Sequence, residues 1–429
     1  MKLNPARQIN GHLQLPGDKS ISHRAALIAA LAAGSSEITN FSSARDCAST
    51  VTCLGELGIS IEQTADKLTF KGGEKLVAPQ RPLDCGNSGS TLRILTGVLA
   101  GHDLTAELVG DESLSSRPMR RIIEPLELMG AKIESTDGKA PLKVHGSAKL
   151  TPIIYKLPVA SAQVKSAILF AGLNATGRTT VIETSPSRDH TERLFNGFRV
   201  PVKTHDDLSV TLEGPARLSG GAITIPGDVS SAAYFVAAAM LLRGSELTIE
   251  RVGLNPRRAA FLDVLKSWGA DISITDVQSE RNEPFGTIHV RGGINRTTGE
   301  SERILSGALI PALIDELPLL AVVGSQIEGG IQIRDARELR LKESDRLATT
   351  AMNLRVMGAV VDEFEDGLAV SGPTRLRGAV VDSHADHRIA MAFSVAALIA
   401  TGETQITGSE CVAISFPEFY ALLDSLAVR

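Results

Sequence analysis

Three stretches of this chain set small hydroxyl or amide residues ahead of an apolar run, with a cation close behind. They are Gly17–Asp18–Lys19–Ser20–Ile21–Ser22–His23–Arg24, Gly86–Asn87–Ser88–Gly89–Ser90–Thr91–Leu92–Arg93 and Ala160–Ser161–Ala162–Gln163–Val164–Lys165–Ser166. Such residues at the start of a helix leave backbone N–H groups free, and the helix dipole adds to their pull on phosphate or carboxylate. Ser and Asn are also ordinary N-caps, so one such start says little. Three, each with Lys or Arg nearby, point to a ligand carrying more than one anionic group. The first is not a Walker A loop, because Asp18 separates Gly17 from Lys19 and the upstream glycine spacing is wrong.

More cations cluster in Ser115–Ser116–Arg117–Pro118–Met119–Arg120–Arg121, Ser187–Arg188–Asp189–His190, Leu341–Lys342–Glu343–Ser344–Asp345–Arg346 and Asp386–His387–Arg388. Arg117, Arg346 and Arg388 suit a clamp, since guanidinium offers phosphate or carboxylate a planar fork. Mixed-sign runs are equally compatible with a solvated surface. Two carboxylates are acid/base candidates. Asp315, in Leu313–Ile314–Asp315–Glu316–Leu317–Pro318, opens an apolar helix and serves either as a cap or in proton transfer. Glu343 lies between Lys342 and Arg346, which favour its charged form until a substrate competes for them. No G-x-S-x-G elbow occurs, and no cysteine has a convincing histidine base.

The elements that must carry these residues repeat. Six segments, opening near Asp18, Asn87, Ser161, Asp228, Asp315 and Asp386 at intervals of 67 to 87 residues, run from small polar residues through an Ala/Leu-rich helix to a glycine. The glycine stops are Gly34, Gly101, Gly177, Gly244, Gly324 and Gly402. A second helix follows in each and ends in a related phrase, as in Leu54–Gly55–Glu56–Leu57–Gly58–Ile59, Leu128–Met129–Gly130–Ala131, Ser267–Trp268–Gly269–Ala270 and Val356–Met357–Gly358–Ala359. There glycine ends the helix and a strand begins. The unit reads helix, strand, helix, strands, an α/β pattern six times over. Near copies of one phrase, Leu15–Pro16–Gly17–Asp18 and Ile225–Pro226–Gly227–Asp228, divide the chain. They predict two similar halves of three repeats. One is discontinuous, residues 1–17 plus 227–429, and the other spans 18–226, with hinges near 16–18 and 226–228. The alternative makes both phrases ordinary strand-to-helix turns of one domain.

At 429 residues, a single core is not expected. A hydrophobic fraction of 43% and 22% charged residues is ordinary globular composition and excludes a disordered chain. A net charge of −5 argues against a nucleic-acid scaffold, and 4% aromatics are too few for base-stacking platforms. An anionic ligand must therefore meet a local basic cluster. Cys47, Cys53, Cys85 and Cys411 form no C-x-x-C pair and no zinc spacing, so a reducing compartment and no structural metal are expected. Met1 to Asn10 lacks an apolar signal core and no apolar run reaches membrane-spanning length, so a cytoplasmic protein is expected.

The Leu15-to-Arg24 phrase closely resembles the N-terminal signature of the 5-enolpyruvylshikimate-3-phosphate synthase family. Gly86–Asn87–Ser88–Gly89–Ser90–Thr91, Arg117–Pro118, Leu341 to Leu347 and Asp386–His387–Arg388 match it in the same order, across essentially the whole chain. The resemblance implies two similar domains, each of three βαβαββ units, as an inside-out α/β barrel. It implies transfer of the enolpyruvyl group of phosphoenolpyruvate to the 5-hydroxyl of shikimate 3-phosphate, with release of phosphate, by addition and elimination through a tetrahedral intermediate. Shikimate 3-phosphate would be bound by Lys19, Ser20, Arg24, Ser161, Ala162, Gln163, Arg188, Asp315 and Lys342. Phosphoenolpyruvate would be bound by Lys19, Gly89, Arg117, Gln163, Arg346 and Arg388. Asp315, Glu343 and Lys19 would be catalytic. The resemblance further implies a monomer with no cofactor, no metal, no nucleic-acid or membrane partner, and glyphosate as inhibitor at the phosphoenolpyruvate site. Ala162 in place of a second Ser, Ile414 in place of a Lys before Ser415–Phe416–Pro417, and Glu338 in place of Asn are similar to the second bacterial class. The nearest rival is the related transferase acting on UDP-N-acetylglucosamine, which usually carries a Cys shortly before its Arg–Pro pair; residues 111–116 hold none. A non-catalytic repeat protein explains the repeats but not the anion-binding phrases.

Overall fold

The computed structural model describes residues 1–294 and 303–429. The chain divides into two compact units. One comprises Met1–Leu15, Gly227–Gln278 and Pro284–Arg429, and the other Pro16–Pro226 with Ser279–Glu283.

The second unit is the clearer case. Its helices Lys19–Leu31, Gly89–Ala100 and Ala162–Gly172 present no solvated face, and nearly every residue beyond their first turns is buried. A helix without a polar face has to sit inside a core. Three four-stranded sheets go with these helices. In the middle one, Leu83–Asp84 runs parallel to Thr105–Val109, which pairs antiparallel with Lys139–His145, itself antiparallel to Lys132–Thr136. Strand, core helix, parallel strand, outer helix, antiparallel pair is the βαβαββ unit. Gly97 permits close helix contact, since a Cβ there would lie 2.2 Å from the carbonyl oxygen of Ala167.

In the first unit, Val229–Leu241, Leu317–Gly324 and His387–Ile399 are the buried helices. Their core includes Tyr234, Phe235, Trp268, Phe393, Phe416 and Phe419, each of which contributes about 1.5–3 kcal/mol by leaving water. Each unit takes one strand from a distant part of its own chain. Gln8–Gln14 lies parallel to Glu246–Gly253 in the first, and Ala222–Thr224 parallel to Gly34–Thr39 in the second.

The second-helix glycines do what their phrases predict. Gly58, Gly130, Gly269 and Gly358 all have φ between +88° and +107° just past a helix end. The next N–H then reaches back to the helix, Ala131 to Leu126 O at 3.1 Å and Ala359 to Leu354 O at 2.9 Å. Three expectations need correction. In the third repeat this place is held by Arg199 at φ 68°, with Val200 N donating to Phe195 O. In the sixth, a 3-10 segment, Ser409–Ile414, precedes the second helix, Phe419–Leu426, which runs directly into the strand Ala427–Val428 with no glycine between. Gly34 and Gly177 open the strands Gly34–Thr39 and Gly177–Ile182, their helices having ended at Leu31 and Gly172, and Gly324 is the last residue inside its helix. Among the described residues no single helix is long and apolar enough to cross a membrane.

Candidate active site

The last turns of the core helices are almost wholly apolar, and most of their polar side chains gather in the first two turns. In the second unit those turns are joined side chain to side chain. Asp18, Ser88 and Ser161 cap the three helices, accepting from Ile21 N, Thr91 N and Val164 N. Arg24 donates from Nη2 to Ser166 Oγ at 2.9 Å, from Nε to Thr191 Oγ1 at 2.8 Å and from Nη1 to the carbonyl of Ser20 at 2.9 Å. Arg188 Nη1 lies 3.4 Å from Ser20 Oγ, and Lys19 Nζ donates to Asp46 at 3.0 Å. Lys19, Ser20, Arg24 and Arg188 therefore form one group.

A second group surrounds Gly89. Gln163 accepts from Arg93 Nη1 at 2.8 Å and donates to Ser90 Oγ at 2.9 Å. Arg117 Nη2 donates to Asn87 Oδ1 at 3.1 Å. A Cβ on Gly89 would stand 2.7 Å from Arg93 Nη1 and 3.5 Å from Arg117 Nη1. Ser161 and Ala162 sit at the start of the third helix, where the Ala162 carbonyl accepts from Ser166 Oγ at 2.6 Å. Beneath these groups runs a buried chain from His23 Nδ1 to Thr50, Thr91 and Ser88, each link 2.7 Å. Burial, with Lys19 and Arg24 adding to it, holds His23 well below the usual imidazole range, so it is neutral. Burial also lowers Arg24, to about 10, opposed by Glu192 and aided by Arg188. It still carries its charge at neutral pH.

The first unit holds the carboxylates. Asp315 does not cap a helix: it lies in the turn between Ile310–Leu313 and Leu317–Gly324, and Glu316 takes the cap position without a side-chain bond. Freed from capping, Asp315 stands among guanidinium groups, with Arg258 Nη1 and Arg346 Nη1 each at 3.5 Å and Arg388 Nη2 at 3.7 Å. Arg346 forks onto Asp386, at 2.8 and 3.2 Å, and donates to Glu343 Oε2 at 2.6 Å. Asp386 also caps the helix that begins with His387. Burial by itself would lower Arg346, but Asp386, Glu343 and Asp315 outweigh it and hold the guanidinium above its ordinary value. Arg388 behaves likewise, its burial overcome by Tyr234, Asp315 and Glu316. Ser230 donates to Glu316, and Arg388 donates to Ser230. Burial raises the Glu316 carboxyl, Arg258 opposes it, and Asp315 adds to it. Lys342 pairs with Glu338 at 3.0 Å, one turn back.

Sequence reasoning passed over Asp46, Arg258 and Glu316 as site residues. Asp46 and Arg258 lie in no repeated phrase. Glu316 was hidden by its neighbour, because a pair of adjacent acids looks like one cap. Among the described residues no group of His, Cys, Asp and Glu is arranged to hold a metal ion.

Repeated strand and helix units around buried core helices define an enolpyruvyl transferase fold. The enolpyruvyl transferase NikO from Streptomyces tendae shares that fold with a TM-score of 0.79 over 99% of this chain and 96% of its own, at 17% identity. EPSP synthase from Acinetobacter baumannii is closer, with a TM-score of 0.87, 38% identity and coverage of 99% and 97%. In sequence, the 3-phosphoshikimate 1-carboxyvinyltransferases of Koribacter versatilis and Solibacter usitatus are 49% and 48% identical over 431 and 434 residues. These alignments cover 100% and 99% of this chain and 99% of each relative. The chain belongs to the EPSP synthase (3-phosphoshikimate 1-carboxyvinyltransferase) family, whose family model matches residues 3–423.

Proposed function

We infer that the residues gathered at the helix starts carry out the reaction of this family. The chain transfers the enolpyruvyl group of phosphoenolpyruvate to the 5-hydroxyl of shikimate 3-phosphate, releasing phosphate, a step of the shikimate pathway to chorismate and the aromatic amino acids. The observation that supports a residue-level reading most directly is the setting of Asp315 and Glu343, two carboxylates held on a shared guanidinium, Arg346. In this reading Lys19, Ser20, Arg24, Ser161, Ala162, Gln163 and Arg188 bind shikimate 3-phosphate, and Asp315 and Lys342 take its hydroxyls. Lys19, Gly89, Arg117, Gln163, Arg346 and Arg388 bind phosphoenolpyruvate, the site glyphosate would share.

Asp315, aided by Lys19, accepts the proton of the 5-hydroxyl as that oxygen bonds to C2 of phosphoenolpyruvate. Glu343 donates a proton to C3, so the double bond becomes a methyl group and C2 becomes tetrahedral, still carrying phosphate. Glu343 then takes a proton back from C3 while Asp315 returns its proton to the departing phosphate, so the C2–O bond to phosphate breaks and the C2–C3 double bond is restored. Arg346 and Arg388 are engaged with carboxylates before substrate arrives, so an incoming phosphate competes with Asp315 and Glu343 for them. A carboxylate that gives up its guanidinium partner becomes the stronger proton acceptor. Proton transfer of this kind accounts for roughly 10²–10⁴-fold in rate, and the cations stabilise the developing phosphate charge.

Incubation with both substrates should release phosphate and form the enolpyruvyl ether, seen together by phosphorus and proton NMR, with neither product when one substrate is omitted. Release that instead requires UDP-N-acetylglucosamine would overturn the reading.

A further inference from the structure

The helix Ala162–Gly172 buries Val164, Ala167, Ile168, Leu169, Phe170 and Ala171, and among them Lys165, whose side chain is 0% exposed. Its ammonium lies 2.9 Å from Glu183 Oε2 and 2.6 Å from Glu192 Oε1, both carboxylates being buried as well. An apolar side chain would fill this place without desolvating three charges, and a buried ion cluster is rarely the more stable choice. What such a cluster does supply is direction. Glu183 follows the strand Gly177–Ile182, and its other oxygen accepts from the backbone N–H of Ser187 at 3.1 Å and from the Ser187 hydroxyl. Ser187 immediately precedes Arg188, whose Nη1 reaches Ser20 Oγ at 3.4 Å. On the other branch, Glu192 adjoins Thr191, which accepts from Arg24 Nε at 2.8 Å and bonds Ser166 Oγ at 2.7 Å.

We propose that Lys165 is a positioning residue for shikimate 3-phosphate: through Glu183 and Ser187 it fixes Arg188, and through Glu192 and Thr191 it fixes Arg24. The proposal rests on the assignment of Arg24 and Arg188 to that substrate. Lys165 touches no substrate. Its ammonium is the common origin from which two guanidinium groups are aimed, and loss of that origin frees both from the geometry their charge-assisted hydrogen bonds need.

The test uses the full chain with binary shikimate 3-phosphate binding by calorimetry and steady-state kinetics. In Lys165→Met, and in the charge-compensated Lys165→Met/Glu192→Gln, the Kd for shikimate 3-phosphate should rise about tenfold or more. The kcat and the KM for phosphoenolpyruvate should stay within about threefold, since uniform binding of one substrate has been lost rather than transition-state stabilisation. If the single variant is too unstable to purify, the compensated one carries the measurement. Ser187→Ala leaves all three buried charges in place and should raise the same Kd about threefold or more by removing the hydroxyl bond to Glu183. An unchanged Kd in the compensated variant or in Ser187→Ala, or an equal loss of both substrates and kcat, overturns the proposal. Arg188→Met is the control. If it binds shikimate 3-phosphate normally, the assignment of that residue falls and this proposal with it; if it binds weakly while the compensated variant binds normally, only the positioning role of Lys165 is refuted.

Discussion

Replacing Gly89 by alanine adds one methyl group at a place where the structure leaves room for none. The new Cβ would sit 2.7 Å from Arg93 Nη1, whereas an ordinary contact needs about 3.5 Å, so the guanidinium must retreat by roughly 0.7 Å or more. Arg93 is bonded to Gln163 at 2.8 Å, and a retreat that carries Nη1 away from Gln163 breaks that bond. Losing a hydrogen bond to a charged group costs about 1.5–3 kcal/mol, a factor of roughly 10 to 100 in binding if Gln163 and its neighbours hold phosphoenolpyruvate. The backbone itself raises no objection, because Gly89 is not among the glycines of positive φ, and alanine stabilises a helix start by at most about 1 kcal/mol. The expected outcome is a KM for phosphoenolpyruvate up about tenfold with thermal stability held. Glyphosate, being longer, should lose more still, so its inhibition constant should rise further. The assay is competitive inhibition against phosphoenolpyruvate for Gly89→Ala in two backgrounds, native and Arg93→Met. With the guanidinium gone, the added methyl has little to strike and its effect should shrink several-fold. An equal effect in both backgrounds would refute the collision with Arg93.

Asp315→Asn and Glu343→Gln should each lower kcat by roughly 10² or more while leaving the fold intact, with Asp315→Asn also weakening shikimate 3-phosphate; near-normal turnover in rapid-quench assays would remove the residue concerned from proton transfer. Gly97→Ala should destabilise by about 1–3 kcal/mol or more in denaturant titrations, because its Cβ would lie 2.2 Å from Ala167 O and 2.5 Å from Ala167 Cα across a helix contact. His23 has a folded-state pKa well below its unfolded value near 6.5, so below that pH the unfolded chain binds a proton the folded chain refuses. Its contribution to stability is therefore full above about pH 6.5 and is lost toward lower pH, at no more than about 1.4 kcal/mol per unit. The difference between native protein and His23→Asn in denaturant titrations from pH 7 to pH 5 should show that slope, and parallel curves would contradict it.

The repeating α/β pattern was legible because its signals are local. A glycine two residues beyond a helix end, as at Gly130 and Gly358, acts through its own φ and needs no distant partner. The helix starts were legible for the same reason, since Asp18, Ser88, Ser161, Asp228 and Asp386 cap within three residues of themselves. Asp315 shows where that logic stops. Its phrase reads as a cap, but Pro318 near the start of the helix shifts the boundary to Glu316 and Leu317, and the carboxylate is left to Arg258, Arg346 and Arg388. Arg258 precedes Asp315 by more than fifty residues, and a pairing of that span leaves no mark in spacing. Lys165 was visible only as one more cation near a helix start; that both its partners are carboxylates buried with it depends on how the strand Gly177–Ile182 and the helix His190–Gly197 pack.

The two copies of the Pro–Gly–Asp phrase join these observations. A strand-to-helix turn and a passage between halves are compatible readings of the same residues. Each phrase follows a strand, Gln8–Gln14 or Ala222–Thr224, and its Asp caps a core helix, Lys19–Leu31 or Val229–Leu241. Each also marks the point where the chain leaves one compact unit for the other. The strand before the phrase pairs with its own unit, Gln8–Gln14 with Glu246–Gly253 and Ala222–Thr224 with Gly34–Thr39, so its register is anchored before the crossing. The helix after it is anchored by complete burial of its apolar body. Gly17 is pressed so tightly that a Cβ would lie 1.9 Å from Asn40 O, whereas at Gly227 the nearest atom would be 3.2 Å away. The first crossing therefore admits only glycine, and it stands immediately before Lys19 and Ser20. The residues that begin the proposed shikimate 3-phosphate site thus follow a turn that admits only glycine and open a helix buried in its own core.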